Sequence, residues 1–125
     1  MTPYSVRFVE SIPVIELPPR IDSVTSADLE KNINRLITDK AIILCDFTQN
    51  TYISSLGLRV LLSALKTLKR SGGNLALCSL SPYVLEIFDV SGFSRIFSIY
   101  SSESIAIGEL VSPPFGRGSI STQEG

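Results

Sequence analysis

The sequence contains no histidine, no tryptophan and only two cysteines. Without histidine there can be no Ser-His triad, no Cys-His nucleophile pair and almost none of the usual zinc sites. Neither a GxxxxGK[ST] phosphate loop nor a GxGxxG dinucleotide turn is present. These absences argue against an enzyme, and we expect no catalytic residue, no metal and no cofactor.

Charge is also scarce and nearly balanced, with 11 basic and 12 acidic residues and a formal net charge of −1. This balance lacks the basic excess by which proteins bind nucleic acid. The longest apolar runs, such as residues 41–45, are far too short to cross a bilayer, and the N-terminus shows no signal segment. We therefore expect a cytoplasmic protein with no nucleic-acid or membrane partner.

The 125 residues are 44% hydrophobic and 18% charged, a composition that suits one packed domain. We expect this domain to span residues 1–110. Residues 111–125 hold two prolines, three glycines and scattered serines, which predicts a flexible C-terminal tail. Cys45 and Cys78 each lie in an apolar run, so we expect two reduced core cysteines rather than a disulfide.

Short apolar segments predict a sheet that begins with a hairpin. Residues 6–10 and 14–17 are expected to form two strands joined through residues 11–13, and Pro18-Pro19 to end the second strand. The apolar runs at 41–47 and 75–78 do not alternate with polar residues, which is typical of strands buried on both faces. A short last strand is expected at 96–99.

Helical periodicity and capping residues predict helices between these strands. Thr25 is the expected N-cap of the first helix, with Asp28 three positions later. Ser81-Pro82 is a specific start signal for the third, whose Val84, Leu85 and Phe88 should pack inward. The expected helices are residues 26–38, 55–70, 82–91 and, with Ser101 or Ser102 as cap, a last one to about 110. The order β-β-α-β-α-β-α-β-α predicts an α/β fold with a mixed, mostly parallel sheet, an N-terminal hairpin and about four helices.

The segment from Asp46 to Leu62 carries most of the functional information. A buried strand ends in Asp46, a polar loop follows, and the pair Ser54-Ser55 opens an apolar helix. Taken alone, this pattern predicts only that one of the two serines caps the helix and that Asp46 caps a turn.

The run Tyr52-Ile53-Ser54-Ser55-Leu56-Gly57-Leu58-Arg59-Val60-Leu61-Leu62 closely resembles the signature of the STAS domain, the module of anti-sigma-factor antagonists. Four further blocks resemble the same family in the same order: Ile21-Asp22 with Thr25, residues 44–48, residues 72–78, and Ser81-Pro82 through Phe93. The resemblance covers roughly residues 6–110. It implies the STAS fold and a role in protein interaction.

In that family the helix-opening serine is phosphorylated by a cognate anti-sigma serine kinase, and the phosphorylated antagonist releases that kinase. When the sequence is aligned with the family on Gly57, the resemblance assigns this role to Ser55. Many members have Asp at the preceding position, and because this chain has a serine there, Ser54 is the second choice. It implies an anti-sigma serine kinase and a PP2C-type phosphatase as partners. The residues expected to contact the partner are Asp22, Asp46, Ser54, Leu56, Gly57, Arg59 and Val60.

Several alternatives remain open at this point. Asp22 and Asp46 are expected near the rim that carries Ser55, although turn and cap roles serve equally well. Leu56 and Val60 either form an exposed apolar strip beside Arg59 or pack under the neighbouring helix.

Two other functions also remain open. The chain could be a constitutive STAS subunit, such as a lipid-transport ATPase partner or a scaffold of a signalling assembly, with Ser55 only a helix cap. A small enzyme would instead draw Asp22, Asp46 and Ser55 into one carboxylate–serine site. The oligomeric state is undetermined, with a homodimer among the alternatives.

Overall fold

The computed structural model describes residues 4–111. The strands are β1 (Ser5–Val9), β2 (Ile12–Glu16), β3 (Arg20–Ile21), β4 (Ile42–Asp46), β5 (Tyr52–Ile53), β6 (Asn74–Cys78) and β7 (Ser98–Tyr100). The helices are α1 (Ser23–Leu36), α2 (Ser55–Arg70), α3 (Pro82–Ser91) and α4 (Glu103–Val111), with a 3₁₀ turn at Phe93–Arg95.

Five of the strands form one mixed sheet in the order β1-β2-β4-β6-β7. Only the β1–β2 pair at one edge is antiparallel, and the other neighbours run parallel. β4 lies in the middle and its residues are almost entirely buried, as its apolar run without alternation predicts. The α/β class, the mostly parallel sheet and the N-terminal hairpin are therefore confirmed.

The hairpin turn is shorter than expected. Glu10 and Ser11 alone join the strands, both with positive φ angles of 50° and 71°. Two-residue turns with positive φ match the right-handed twist of paired strands. Consequently Ile12 and Pro13 belong to β2, not to the connection, and Pro13 is tolerated because the pairing of β2 with β4 starts at Val14.

The first helix begins three residues earlier than expected because Asp22, not Thr25, is its N-cap. Asp22 Oδ1 accepts hydrogen bonds from the amides of Val24 and Thr25, both at 3.0 Å. Thr25 returns a contact at N3, where its Oγ1 accepts from the Asp22 amide at 2.8 Å, so the two side chains form a capping box. Asp28 consequently lies beyond the first turn.

The helices cover both faces of the sheet unequally. The larger core lies under α1, α2 and α3, where Leu29, Ile33, Leu61 and Leu68 are completely buried. The smaller core lies under α4, which contributes Ala106 and Ile107. Helices α1 and α2 therefore each pack an apolar face against the sheet.

Helix α3 starts as predicted, since the Ser81 hydroxyl accepts from the Val84 amide and Pro82 takes the first helical position. Phe88 packs edge-on against three other rings, with centroid distances of 5.7–6.2 Å. Leu85 was expected to point inward, and that prediction is wrong, because its side chain is 37% exposed. Leu85 lies about 100° around the helix from Val84, at the edge of the buried face, so part of its side chain meets solvent.

The cysteine prediction is confirmed within the described residues. Cys45 and Cys78 are both buried and unpaired, and they point to opposite faces of the sheet. Burial raises the pKa of both thiols, that of Cys78 to about 12. Neither cysteine is therefore activated as a nucleophile.

The C-terminal elements differ slightly from expectation. The last strand is Ser98–Tyr100, not residues 96–99, and the Ser102 hydroxyl accepts from the Ile105 amide at the start of α4. Helix α4 includes Val111. The remainder of the expected tail lies outside the described residues, and the domain boundary near 110 stays a prediction.

Removing the Asp22 cap should lower the stability of the fold in a pH-dependent way. Hydrogen bonds from Thr25 hold the pKa of the Asp22 carboxyl below its ordinary value of about 3.9. The carboxylate therefore stabilises the fold above that ordinary value, and the contribution is lost as the pH falls through the lower pKa of the folded state. Thermal melts followed by circular dichroism should show Asp22→Ala melting below wild type near pH 7, with the gap narrowing near pH 3.

Asp22→Asn provides the matched control, because its amide oxygen still accepts hydrogen bonds but carries no charge. It should melt between the other two proteins near pH 7. A gap between wild type and Asp22→Ala that is the same at both pH values would contradict the assignment of the cap.

Candidate functional site at the start of helix α2

The site is built on β3 and β5, two short strands that sequence analysis missed. They pair in parallel, with Arg20 opposite Tyr52 and Ile21 opposite Ile53. The Ser54 amide continues the pairing by donating to the Ile21 carbonyl at 2.8 Å. This pairing places Asp22 and Ser54, the residues that follow the two strands, side by side.

Asn50 fixes the loop in front of this pair. Its buried side-chain amide donates to the Pro18 carbonyl at 2.8 Å and to the Tyr52 carbonyl at 3.0 Å. The Pro19 carbonyl in turn accepts from the Thr51 amide at 2.8 Å. The prolines, which cannot donate from their own nitrogens, thus serve as acceptors that tie the two loops together.

The structure assigns different roles to the two serines. Ser54 is the N-cap of α2, and its Oγ accepts from the Gly57 amide at 3.2 Å. Ser55 is the first helical residue and its side chain is exposed to solvent. The prediction that Ser55 caps the helix is therefore wrong, because Ser54 occupies the cap position. The function as a constitutive STAS subunit does not depend on this cap and stays open.

The start of α2 carries no negative charge from its own first turn or from its capping residue. Its first turn contains no acidic residue, whereas the start of α1 already faces the carboxylate of Asp22. In the part of the chain that the structure describes, no hydrogen bond involves the amide of Ser55 or that of Leu56. Free amides and the positive end of the helix dipole favour a negative charge at this position.

Gly57 allows α2 to approach the β3–β5 pair closely. A Cβ atom on Gly57 would lie 2.8 Å from Ile21 Cγ2 and 2.8 Å from Ile53 Cγ1. Both atoms belong to buried, branched side chains of the core. Any larger residue would push the helix start away from the two strands.

A groove of about 320 Å³ runs between α1 and α2, and on α2 its lining begins at Leu56, the residue after Ser55. Leu56 is 42% exposed at its edge, while Val60 is half-buried and packs against the core, so each of the two residues fits one of the expected alternatives. Arg59 is exposed and lies on the same groove. The groove is lined by Ser23, Ser26, Ala27, Glu30, Leu56, Arg59, Val60 and Ser63.

Asp46 does not join this group, contrary to the expectation of a shared rim. It follows Leu44 by two residues on β4, so its side chain points to the face that α4 covers. Its Oδ2 pairs with Arg7 Nη2 at 3.1 Å, and its Oδ1 accepts from the Thr48 amide at 3.0 Å. The carboxylate–serine site that an enzyme would need from Asp22, Asp46 and Ser55 is therefore not assembled.

Arg7 is the centre of a charge cluster that sequence analysis also missed. Its guanidinium contacts three carboxylates, those of Glu16, Asp46 and Glu103. The hydrogen bonds to Glu103 and Glu16 raise the pKa of Arg7. Among residues 4–111 no group of three or more Cys, Asp or Glu side chains is arranged to hold a metal ion. Because Arg7 lies on β1 and its partner Glu103 on α4, the cluster joins α4 to the sheet.

Comparison with known protein families matches the STAS domain to residues 4–106. The chain belongs to the STAS domain family. BtrV of Bordetella bronchiseptica, whose name describes it as an anti-sigma factor antagonist, is 36% identical over 87 residues, which are 70% of this chain and 69% of BtrV. The family resemblance of the sequence is thus confirmed.

Solved structures show the same STAS fold. An anti-sigma-factor antagonist (STAS) domain protein from Planctomyces limnophilus superposes with a TM-score of 0.78 at 21% identity, covering 87% of this chain and 98% of that one. SpoIIAA of Bacillus in its phosphorylated form gives a TM-score of 0.68 at 21% identity, covering 86% and 98%. Within residues 4–111 no helix of this STAS domain has the length and hydrophobicity of a membrane span.

The two serines should differ in their effect on stability. Ser54→Ala removes the cap of α2 and should destabilise the domain by about 1 kcal/mol. Ser55→Ala changes only an exposed side chain and should stay within about 0.5 kcal/mol of wild type. Urea unfolding of the two variants measures this difference. The opposite order would place the cap at Ser55 and contradict the site geometry.

A second test concerns Gly57. In Gly57→Ala the clash with Ile21 and Ile53 should outweigh the gain in helix propensity, with a net loss on the order of 1 kcal/mol. Gly108 in α4 is the matched control, because a Cβ there meets no atom within 4 Å among the described residues. Gly108→Ala should therefore stabilise the protein slightly in the same urea titration. If both substitutions stabilise it, the close approach at Gly57 is not a constraint.

Proposed function

We propose that this STAS domain protein is a cytoplasmic anti-sigma-factor antagonist controlled by phosphorylation of Ser55. In its unmodified form it binds a cognate anti-sigma serine kinase and so makes a sigma factor available. Phosphorylation of Ser55 by that kinase releases the kinase from the complex. A PP2C-type phosphatase removes the phosphate and so restores the form that binds the kinase. The observation that carries this proposal is the division of roles in which Ser54 caps α2 and Ser55 presents a free hydroxyl.

The relatives support the regulatory part of the proposal. BtrV is named for anti-sigma factor antagonism, and the matched region covers more than two thirds of both chains. SpoIIAA shares the fold and has been solved in a phosphorylated form. The proposal carries both properties over to this chain and assigns the phosphate to the position that matches the family motif.

The geometry supports Ser55 as the acceptor on physical grounds. A kinase must reach the hydroxyl, and the Ser55 side chain is exposed while the Ser54 oxygen is engaged with the Gly57 amide. A phosphate adds roughly −1.5 to −2 charges at pH 7, and a helix start favours negative charge by about 0.3–1 kcal/mol when exposed. Phosphorylation should therefore leave the domain folded, and its effect falls on a bound partner.

The proposed contact surface surrounds Ser55 and includes part of the α1–α2 groove. Leu56 supplies exposed apolar area, Val60 its half-buried neighbour, and Arg59 a positive charge. Asp22 lies beside Ser54 at the head of α1. Gly57 acts by allowing the close packing beneath this surface. Asp46 faces the other side of the sheet and is not included.

A phosphorylation assay tests the acceptor. The purified protein is incubated with ATP and each anti-sigma serine kinase encoded by the same genome, and intact-protein mass spectrometry counts the phosphates. We expect one phosphate on wild type and Ser54→Ala, and none on Ser55→Ala, because of the two serines at the start of α2 only Ser55 is exposed and makes no side-chain hydrogen bond among the described residues. Size-exclusion chromatography should show the kinase bound to Ser55→Ala and released from the phosphorylated wild type.

Two outcomes would contradict the proposal. A phosphate that persists on Ser55→Ala and disappears on Ser54→Ala moves the acceptor to Ser54. Wild type that binds a partner stably and is never phosphorylated indicates the constitutive accessory subunit instead. The melting temperatures of both variants serve as the control for folding.

A further inference from the structure

Among residues 4–111, Arg59 is a cation without a carboxylate partner, and it lies at the edge of the proposed site. All ion pairs found among residues 4–111 involve Arg7, so Arg59 pairs with no carboxylate in that part of the chain. Its side chain is exposed at the edge of the α1–α2 groove, which Glu30 also lines. Arg59 therefore keeps its charge available.

The helix places Arg59 one turn after Ser55. Residues four positions apart in a helix lie on the same face, with Cβ atoms about 5–6 Å apart. An acidic group N-terminal to a basic one at this spacing is the favourable order. A guanidinium can also form paired hydrogen bonds to phosphate oxygens, which an ammonium cannot match.

We infer that Arg59 pairs with the phosphoryl group of phosphorylated Ser55 and positions it over the open start of α2. This inference rests on the proposed function for the identity of the modified residue. The phosphate would then be held by two features of the same helix, the free amides of its first turn and the Arg59 side chain one turn later.

Other charged groups near the helix start are less suited to this role. The Arg20 guanidinium lies over the Tyr52 ring, 4.2 Å from its centroid, and is thereby held on β3. Lys66 follows Ser55 by 11 positions along α2, roughly three turns away. Asp22 and Glu30 on α1 are negative and disfavour the phosphate dianion. Among these charges Arg59 has the spacing and the freedom to pair.

The spacing to Arg59 also distinguishes the two candidate serines, because Arg59 lies four positions after Ser55 but five after Ser54. A phosphate on Ser54 would have Leu58, not Arg59, four positions later. It would also remove the oxygen that caps the Gly57 amide. Pairing with Arg59 is therefore specific to Ser55, and phosphorylation withdraws a cation from the groove as well as adding an anion beside it.

Phosphoserine installed at position 55 by genetic encoding allows a test that needs no kinase. The second pKa of the phosphate is measured by ³¹P NMR titration at low salt. Because a nearby cation favours the dianion, Arg59→Gln should raise this pKa by about 0.2–0.4 relative to the wild-type background, the size expected of a helical pair four residues apart. Arg59→Lys should recover part of the difference.

Lys66→Gln is the matched control, since it removes one positive charge from the same helix far from Ser55, and it should leave the pKa unchanged. Phosphoserine at position 54 should be insensitive to Arg59→Gln. With phosphoserine at position 55, the difference in phosphate pKa between Arg59→Gln and the wild-type background should also shrink when salt is raised to about 0.5 M, where exposed charges are screened.

Equal phosphate pKa values in the wild-type background and in Arg59→Gln would overturn the inference, as would a shift of the same size in Lys66→Gln. Neither result would bear on the proposed function, because the phosphate is installed without a kinase. Conversely, the absence of kinase phosphorylation would refute the proposed acceptor while leaving the pairing chemistry measurable.

Discussion

The two residue pairs of β3 and β5 are the constraint on which the site depends. They join chain segments more than thirty residues apart, and the hydrogen bond from Ser54 to Ile21 extends the pairing to the first residue beyond the strands. Because each strand runs directly into a helix, pairing the strands also aligns the helix starts. Gly57 is required for the same reason, since α2 must lie against Ile21 and Ile53 to begin where β5 ends.

Each of the two aligned helix starts leaves backbone amides without helical partners at the positive end of a helix dipole. The two helices satisfy these amides with different capping residues. At α1 the Asp22 carboxylate accepts from two amides and provides a permanent negative charge. At α2 the Ser54 hydroxyl satisfies one amide but adds no charge. An added anion therefore changes the charge at the start of α2 more than at the start of α1, because among the described residues no carboxylate caps α2.

Sequence patterns predicted the elements whose signals are local. Helix α2 spans Ser55–Arg70 as its helical periodicity predicts, and the Ser81-Pro82 start of α3 follows from its cap. The pairing of β3 with β5 and the contacts of Arg7 escaped prediction. A two-residue strand has no periodicity, and Arg7 meets carboxylates 9, 39 and 96 positions away. The cap of α1 was misplaced because Asp22 and Thr25 are both good capping residues, and only the end of β3 decides between them.

The packing of α2 limits how a phosphate on Ser55 can act. Leu61, Leu65 and Leu68 hold the helix against the sheet with almost no exposed area, and Gly57 leaves no space for its start to shift inward. A close-packed interior of this kind resists small displacements. The helix dipole stabilises an added charge at the exposed first residue, so phosphorylation does not require the helix to shift. Under the proposed function, the partner must therefore detect the charge itself at the surface, not a rearrangement of the domain.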